Sequence, residues 1–294
     1  MRQNIDITTL RNKLKPPGPV LDVHVHPFPV PRLGTTATPR QAADFLIRQA
    51  DAAGVSRMVL MNLGRTWNTS PPMAACAEAN DLGLEVQKLA PQRFICFAYV
   101  NPAEPDAARA EIDRQVLRNG MAGVKLWVAV RASDARVIQV VRHAASLGVP
   151  VLQHVWIKAG GNQGGESSPD DLAELASAVP EARIIMGHLG GAGFHGIESV
   201  RHLKNVFAET GGSEPESGIV ERAVERLGPD RLIFGSDATG RQMAVQLGKV
   251  LGADLPEDVK KRILWDNLNA ILPERARAKP ATANNLTGSE RATS

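Results

Sequence analysis

Short apolar runs alternate with longer amphipathic stretches along most of the chain. Eight runs have strand length and are apolar almost throughout: residues 20–26, 57–63, 94–101, 123–128, 151–156, 184–188, 206–210 and 232–237. Continuous apolar character, rather than strict alternation, marks parallel strands buried on both faces. Between them apolar positions recur at helical spacing, as in 39–53, 134–147, 169–179 and 218–227. Gly54, Gly148 and Gly228 follow three of these stretches, where a left-handed backbone usually closes a helix. Ser168 ahead of Pro169 reads as an N-cap with proline at the first helical position. Eight strand–helix units predict an α/β fold, a (β/α)8 TIM barrel. An open doubly wound sheet is the alternative, but no G-x-G-x-x-G follows an early strand.

The barrel is expected over 19–272, its last helical segment being 256–272. Residues 1–18 read as an irregular N-terminal extension. Residues 273–294 are rich in Ala, Arg, Thr, Asn and Ser and read as a disordered tail. No internal repeat stands out beyond the alternation itself.

With 294 residues, 43% of them hydrophobic, the chain can bury one large core. A net charge of +3 without a dense Lys/Arg block gives no sign of a nucleic-acid partner. No apolar run is long enough to cross a bilayer, so no membrane partner is expected. The first fifteen residues are polar and lack the apolar stretch of a secretory leader, which places the protein in the cytoplasm. Cys76 and Cys96 lie in apolar segments and read as buried free thiols.

Barrel chemistry sits at the C-terminal ends of the strands. The first run ends in His24-Val25-His26, and residues i and i+2 of a strand share a face. Two imidazoles side by side can hold one divalent ion. The fourth run carries Lys125, the fifth His154, the sixth ends in His188, the seventh in Glu209 and Thr210, and the eighth in Asp237. A lone strand-end histidine is more often a satisfied core or rim side chain. Four of the seven histidines fall at such ends, and the first and eighth strands of a closed barrel are neighbours. The set therefore converges near the axis. Its mixed N/O character suits Zn²⁺ first, with Mn²⁺, Fe²⁺ or Co²⁺ as alternatives. His143, His195 and His202 fall on helical or loop segments and read as structural.

Around the expected mouth stand Arg65, Trp67, Asn68, Trp127, Trp156, Lys158, Phe194, His195 and Arg241. Arg65, Trp67, Lys125, Trp127, Trp156 and Arg241 are the candidate substrate contacts, because guanidinium forks grip carboxylates and indoles flank planar acids. Each also has a plain reading as a solvated rim charge or a packing aromatic. The glycine-rich stretch 158–168 is a turn, a ligand-approach loop or a lid. Glu209 either orients a ligand histidine from behind or faces solvent.

Several segments carry a resemblance: Asp22-Val-His-Val-His26, Asn101-Pro102, Gly123-Val-Lys-Leu126, Ser168-Pro-Asp-Asp-Leu-Ala-Glu-Leu175, Gly187-His-Leu-Gly-Gly191, Arg231-Leu-Ile-Phe-Gly-Ser-Asp237 and Ile263-Leu-Trp-Asp-Asn267. In order and content they resemble the amidohydrolase-related branch of the amidohydrolase superfamily, which includes aminocarboxymuconate-semialdehyde decarboxylase. The resemblance implies a metal-dependent barrel enzyme. His24, His26, His154 and Asp237 would hold one divalent ion, His188 would be the general acid/base, and Asp237 would also carry protons. A strand-four lysine is carbamylated between two metals in other members of the superfamily, so a binuclear centre bridged by Lys125 is the alternative to the favoured mononuclear one. Two departures lie at the mouth. Ala238-Thr239 stand where the family often has an aromatic residue and proline, and Trp127 stands where histidine is common.

Hydrolysis of a small cyclic ester, lactone or amide acid by a metal-activated water is the first expectation. The alternative is a metal-dependent, non-oxidative decarboxylase of an aromatic or muconate-type acid. A catalytically dead metal-binding scaffold is the third reading, and the complete ligand set argues against it. A small anionic substrate is expected as partner, and a homo-oligomer is plausible from the resemblance alone.

Overall fold

The computed structural model describes residues 15–158, 160–191, 194–212 and 216–277. Eight strands appear where eight apolar runs predict them: β1 (Leu21–Val25), β2 (Arg57–Leu60), β3 (Phe94–Tyr99), β4 (Gly123–Leu126), β5 (Val151–Gln153), β6 (Ile184–Met186), β7 (Val206–Glu209) and β8 (Leu232–Ile233). They pair in chain order, and every pairing is parallel. The Val23 amide donates to the Phe234 carbonyl at 3.0 Å, and a parallel bridge joins Val25 to Ala238, which brings the last strand back to the first. The fold is a (β/α)8 barrel.

One helix follows each strand: α1 (Pro39–Ala53), α2 (Met73–Leu89), α3 (Pro105–Asp113), α4 (Ala135–Ser146), α5 (Pro169–Ala178), α6 (His195–Val200), α7 (Ile219–Leu227) and α8 (Met243–Leu251). Local chemistry sets their ends. Thr38 and Ser168 close capping boxes with Gln41 and Asp171, ahead of Pro39 and Pro169. Asp134 caps α4 by accepting from the Arg136 amide, so that helix begins one residue later than the pattern predicts. Gly54 closes α1 at φ 82°, a conformation that costs glycine nothing.

Alternate strand residues divide the core in two. Leu21, Val23, Val59, Met61, Ile95, Phe97, Leu152, Ile185 and Ile233 form one cluster inside the barrel. Their neighbours, such as Met58, Leu60, Val124, Leu126, Ile184 and Met186, pack outward against Leu46, Val86, Val140 and Leu172 of the helices. Lys125 lies between two outward residues of β4 and so points inward.

The extra segment is α9 (Glu257–Lys261), a π turn (Arg262–Asp266) and α10 (Asn267–Ile271). Leu268, Ile271 and Leu272 join the interior cluster and stop the N-terminal end of the barrel. Asn267 Nδ2 donates to the Pro229 and Leu232 carbonyls, both at 2.7 Å.

Two expectations change. Every strand is shorter than its apolar run, because the ladder releases the chain before the run's last residues, among them His26, His154, His188 and Asp237. The chain also does not leave the fold at Pro273. A short turn (Glu274–Ala276) lets Arg275 donate to the Met121 carbonyl at 2.7 Å, while the Ala276 carbonyl accepts from Arg57 at 3.1 Å. The rest of the expected tail, and 1–14 of the expected extension, lie outside the described residues. Cys76 and Cys96 are free and buried, as predicted. Among the described residues, no helix is long and apolar enough to cross a membrane.

Candidate metal centre and its cavity

His24 and His26 converge although the register of β1 against β2 shifts between Asp22 and Val25. Their Nε2 atoms lie 3.1 Å apart. Asp237 Oδ1 is 3.7 Å from the first and 3.4 Å from the second. His26 Nδ1 lies 2.7 Å from the Met61 carbonyl, which only accepts, so Nδ1 carries the proton and Nε2 presents a lone pair. His24 Nδ1 lies 3.0 Å from Glu209 Oε1, which fixes the same tautomer. Two lone pairs and a carboxylate oxygen thus face one another in a buried space. A cation between them resolves that repulsion. Metal–nitrogen bonds of about 2.0–2.1 Å put neighbouring atoms of a tetrahedral shell about 3.3 Å apart, close to the separations here. The donor set fits a divalent ion.

His154 and His188 complete the ring of imidazoles. His154 Nδ1 faces His188 Nε2 at 3.2 Å. His24, His26 and Asp237 form one group with ligand atoms all within 4.8 Å, and His24, His188 and Glu209 form another. His154 stands outside both, its Nδ1 turned toward the same space. Its Nε2 is held by Glu166 Oε1 at 2.9 Å.

Glu166 is the residue that the sequence reading missed. It is buried, and its other oxygen accepts from Lys158 Nζ at 2.8 Å and from the Gln163 amide at 3.0 Å. Burial would raise its pKa, but the hydrogen bonds from His154, Lys158 and Gln163 hold it at about 2. The available signal was that Glu166 is the one carboxylate in the glycine-rich stretch 158–168. That loop is thereby tied to a candidate ligand.

Glu209 points inward and supports the site from behind. Its Oε1 accepts from the His188 amide at 2.6 Å as well as facing His24, and Oε2 accepts from the Gly211 amide at 2.6 Å. A Cβ on Gly235 would fall 2.1 Å from Oε2, so the carboxylate occupies the space that this glycine leaves. Asp22 joins the two closing strands: its Oδ1 accepts from the His24 amide at 3.0 Å and the Ser236 amide at 2.9 Å. Burial lifts its pKa to about 7 against those hydrogen bonds.

Backbone strain collects here. Among the described residues five non-glycines have positive φ, and Trp67 (50°), His188 (60°), Leu189 (52°) and Asp237 (57°) are four of them. Each such residue costs on the order of 1–3 kcal/mol, and two of them, His188 and Asp237, carry candidate site side chains.

Burial drives the imidazole of His188 well below its usual pKa, although Asp237 and Glu209 pull upward. His24 is lowered by burial and by the Lys125 ammonium beside it. Burial alone would raise Asp237, but His26, His188 and His24 hold it far below the usual carboxylate range. Lys125 Nζ lies 3.1 Å from His24 Nε2, and burial brings its pKa down to about 8.

These groups floor a cavity of about 220 Å³ walled by Trp67, Trp127 and Trp156, with Lys125, Lys158 and Arg241 also lining it. The Trp67 ring stands 5.0 Å from that of His26 and 6.3 Å from that of Trp127, and Trp156 stands 4.7 Å from His188. Arg65 is not brought there. Its guanidinium donates to the Thr35 and Ala37 carbonyls, both at 2.7 Å, and lies over the Phe28 ring. Those backbone acceptors hold it away from the lining of this cavity, so it is withdrawn from the substrate contacts. His143 pairs with Asp113 at 2.8 Å, and His195, at the start of α6 rather than in a loop, lies 3.4 Å from Asp170.

The profile of a family described as amidohydrolase matches residues 21–272. Among solved structures, 2,6-dihydroxybenzoate decarboxylase from Rhizobium is similar with a TM-score of 0.66 and 16% identity, over 87% of this chain and 98% of that one. The 5-carboxyvanillate decarboxylase of Sphingomonas paucimobilis gives 0.65 and 16%, over 86% and 98%. That of Novosphingobium aromaticivorans, solved with manganese and 4-hydroxy-3-methoxy-5-nitrobenzoic acid, gives 0.68 and 15%, over 88% and 98%. No curated protein matches the chain in sequence.

Proposed function

We propose that this chain, which belongs to the amidohydrolase family, is a metal-dependent, non-oxidative decarboxylase of a small aromatic acid. The observation that carries the reading is the pairing of a metal-type donor set with three indole walls in one cavity. A carboxylate that leaves as carbon dioxide loses its charge, and indole faces beside it favour that loss. Hydrolysis of a lactone or amide gains nothing comparable from such walls. The names of the structurally similar decarboxylases support the same choice, so the alternative expected from sequence moves ahead of hydrolysis. A cavity of about 220 Å³, below the roughly 300–1,000 Å³ of most ligand pockets, suits a single ring.

His24, His26, His154 and Asp237 would hold one divalent ion. Bound there, it supplies a Lewis acid that fixes the oxygens of the acid. One ion is favoured over two, because His24 and His154 each have a single nitrogen left for the centre, their other nitrogens being held by Glu209 and Glu166. Lys125 is an ammonium that offsets the charge of the incoming acid. Asp237, kept ionised by its imidazoles, accepts a proton from the bound acid's hydroxyl and returns it to the carbon that bears the carboxylate. His188, kept neutral by burial, donates to the substrate from Nε2 while Glu209 steadies its backbone amide. The indoles of Trp67, Trp127 and Trp156 hold the ring flat and exclude water.

Reaction of the Mn²⁺- or Zn²⁺-loaded protein with 2,6-dihydroxybenzoate and related hydroxybenzoates in D₂O tests this. The arene product should carry one deuterium at the carbon that lost the carboxylate, as read by NMR. Products that keep the carboxylate and gain water would return the assignment to hydrolysis.

A further inference from the structure

A second cavity, of about 750 Å³, opens beside the first and shares Gly240 and Arg241 with it. Its walls come from the segment after β1 (Val30, Arg32, Leu33), from α1 (Phe45, Arg48, Gln49) and from the segment after β8 (Thr239, Arg241, Gln242). Gln242 Nε2 donates to Gln49 Oε1 at 3.0 Å and so links two of these walls. Arg32, Arg48 and Arg241 line this space, and among the described residues no carboxylate does. Neither Arg32 nor Arg48 makes an ion pair or a side-chain hydrogen bond among the described residues, and the Arg241 guanidinium donates only to the neighbouring Gly240 carbonyl among them. Several arginines elsewhere are engaged differently: Arg114, Arg136, Arg222 and Arg226 each hold carboxylates within 3.2 Å. Arg32 also keeps a left-handed backbone, at φ 69°, where asparagine or glycine would sit at less cost.

Three exposed guanidiniums that form no ion pair among the described residues, in a groove that shares the Gly240 and Arg241 wall with the metal-side cavity, offer a receptor for an anion. We propose that the substrate is a diacid: its ring carboxylate enters the indole-walled cavity and a second carboxylate, on a tether, reaches Arg241, Arg32 and Arg48 in the groove. This rests on the reading that a ring acid occupies the smaller cavity. The division of sizes agrees with it, since the smaller cavity holds little beyond one ring and the larger one accommodates the tether.

Calorimetric binding to the metal-loaded protein tests the proposal with two probes of similar length, 4-(3-carboxypropyl)benzoate and 4-butylbenzoate. The diacid should bind about tenfold more tightly than the monoacid, the effect of one exposed charge-assisted contact. In Arg32→Ala/Arg48→Ala, which leaves only Arg241, that ratio should fall toward one, and in Arg32→Lys/Arg48→Lys more of it should remain. Because the readout is a ratio, a partly unfolded variant lowers both affinities alike and leaves it unchanged. A ratio near one in the wild type, a ratio that survives the alanine pair, or no diacid binding at millimolar concentration overturns the proposal. The preference for the diacid, seen with no loss of carbon dioxide from any ring acid, would leave the groove standing and remove the decarboxylase reading. Decarboxylation of monoacids with no such preference would do the reverse.

Discussion

At the residue scale, two buried glutamates organise the imidazoles. Glu166 and Glu209 each accept from the far nitrogen of a candidate ligand and so set which nitrogen faces the centre. Glu166→Gln should weaken metal binding by about 10–100-fold, measured by competition with a chromophoric chelator. His188→Asn should retain more metal than His154→Asn; equal loss would make His188 a ligand and withdraw its proton-transfer role. Gly235→Ala should act like a glutamate variant, because its methyl group claims the space of Glu209 Oε2. Metal affinity unchanged in that variant would show that Glu209 is not needed in its place. The imidazoles themselves were legible in sequence, since each lies in the C-terminal half of an apolar run. Glu166 was not, because nothing in a glycine-rich stretch says which way the loop folds back. Arg65 was misplaced for a similar reason: a rim arginine's direction depends on carbonyls, here of Thr35 and Ala37, that are remote in sequence.

At the element scale, helix ends were easier to read than strand ends. Caps are local chemistry, and Thr38, Ser168 and Asp134 sit where side-chain oxygens meet free amides. Strand ends depend on where the ladder releases the chain, and β5, β6 and β8 stop short of His154, His188 and Asp237. Asp134→Ala should cost about 1 kcal/mol, read from thermal or denaturant unfolding at pH 7. Its hydrogen bonds to Arg136 depress the Asp134 pKa to about 2 in the folded protein, below the roughly 3.9 of an unfolded chain. The carboxylate therefore stabilises the fold above pH 4, and that contribution fades as pH falls toward 2. The gap between wild type and variant should narrow over that window. A gap independent of pH would show that the charge plays no part in the cap.

At the scale of the whole molecule, the barrel has two differently used ends. α10 and residues 273–277 stop one end, and the other carries the donor set and both cavities. Ending the chain at Leu272 removes the Arg57–Ala276 and Arg275–Met121 bonds, and should cost on the order of 2–3 kcal/mol at net values of about 1 kcal/mol or more per bond. An unchanged unfolding midpoint would show that the segment only rests on the surface. The eight-strand count was legible because each strand is buried on both sides. The choice of reaction was not, because it depends on what surrounds the donor set, and that is fixed by loops from every part of the chain.

The central claim is that one bound divalent ion makes this cavity release carbon dioxide from a ring acid. Its most direct test is the carbon dioxide balance of chelator-stripped protein titrated with Mn²⁺ or Zn²⁺ in the presence of a hydroxybenzoate. One carbon dioxide should appear per acid consumed, with activity rising to a plateau at one ion per chain. Stripped protein as active as loaded protein, or acid consumed without release of carbon dioxide, would contradict it.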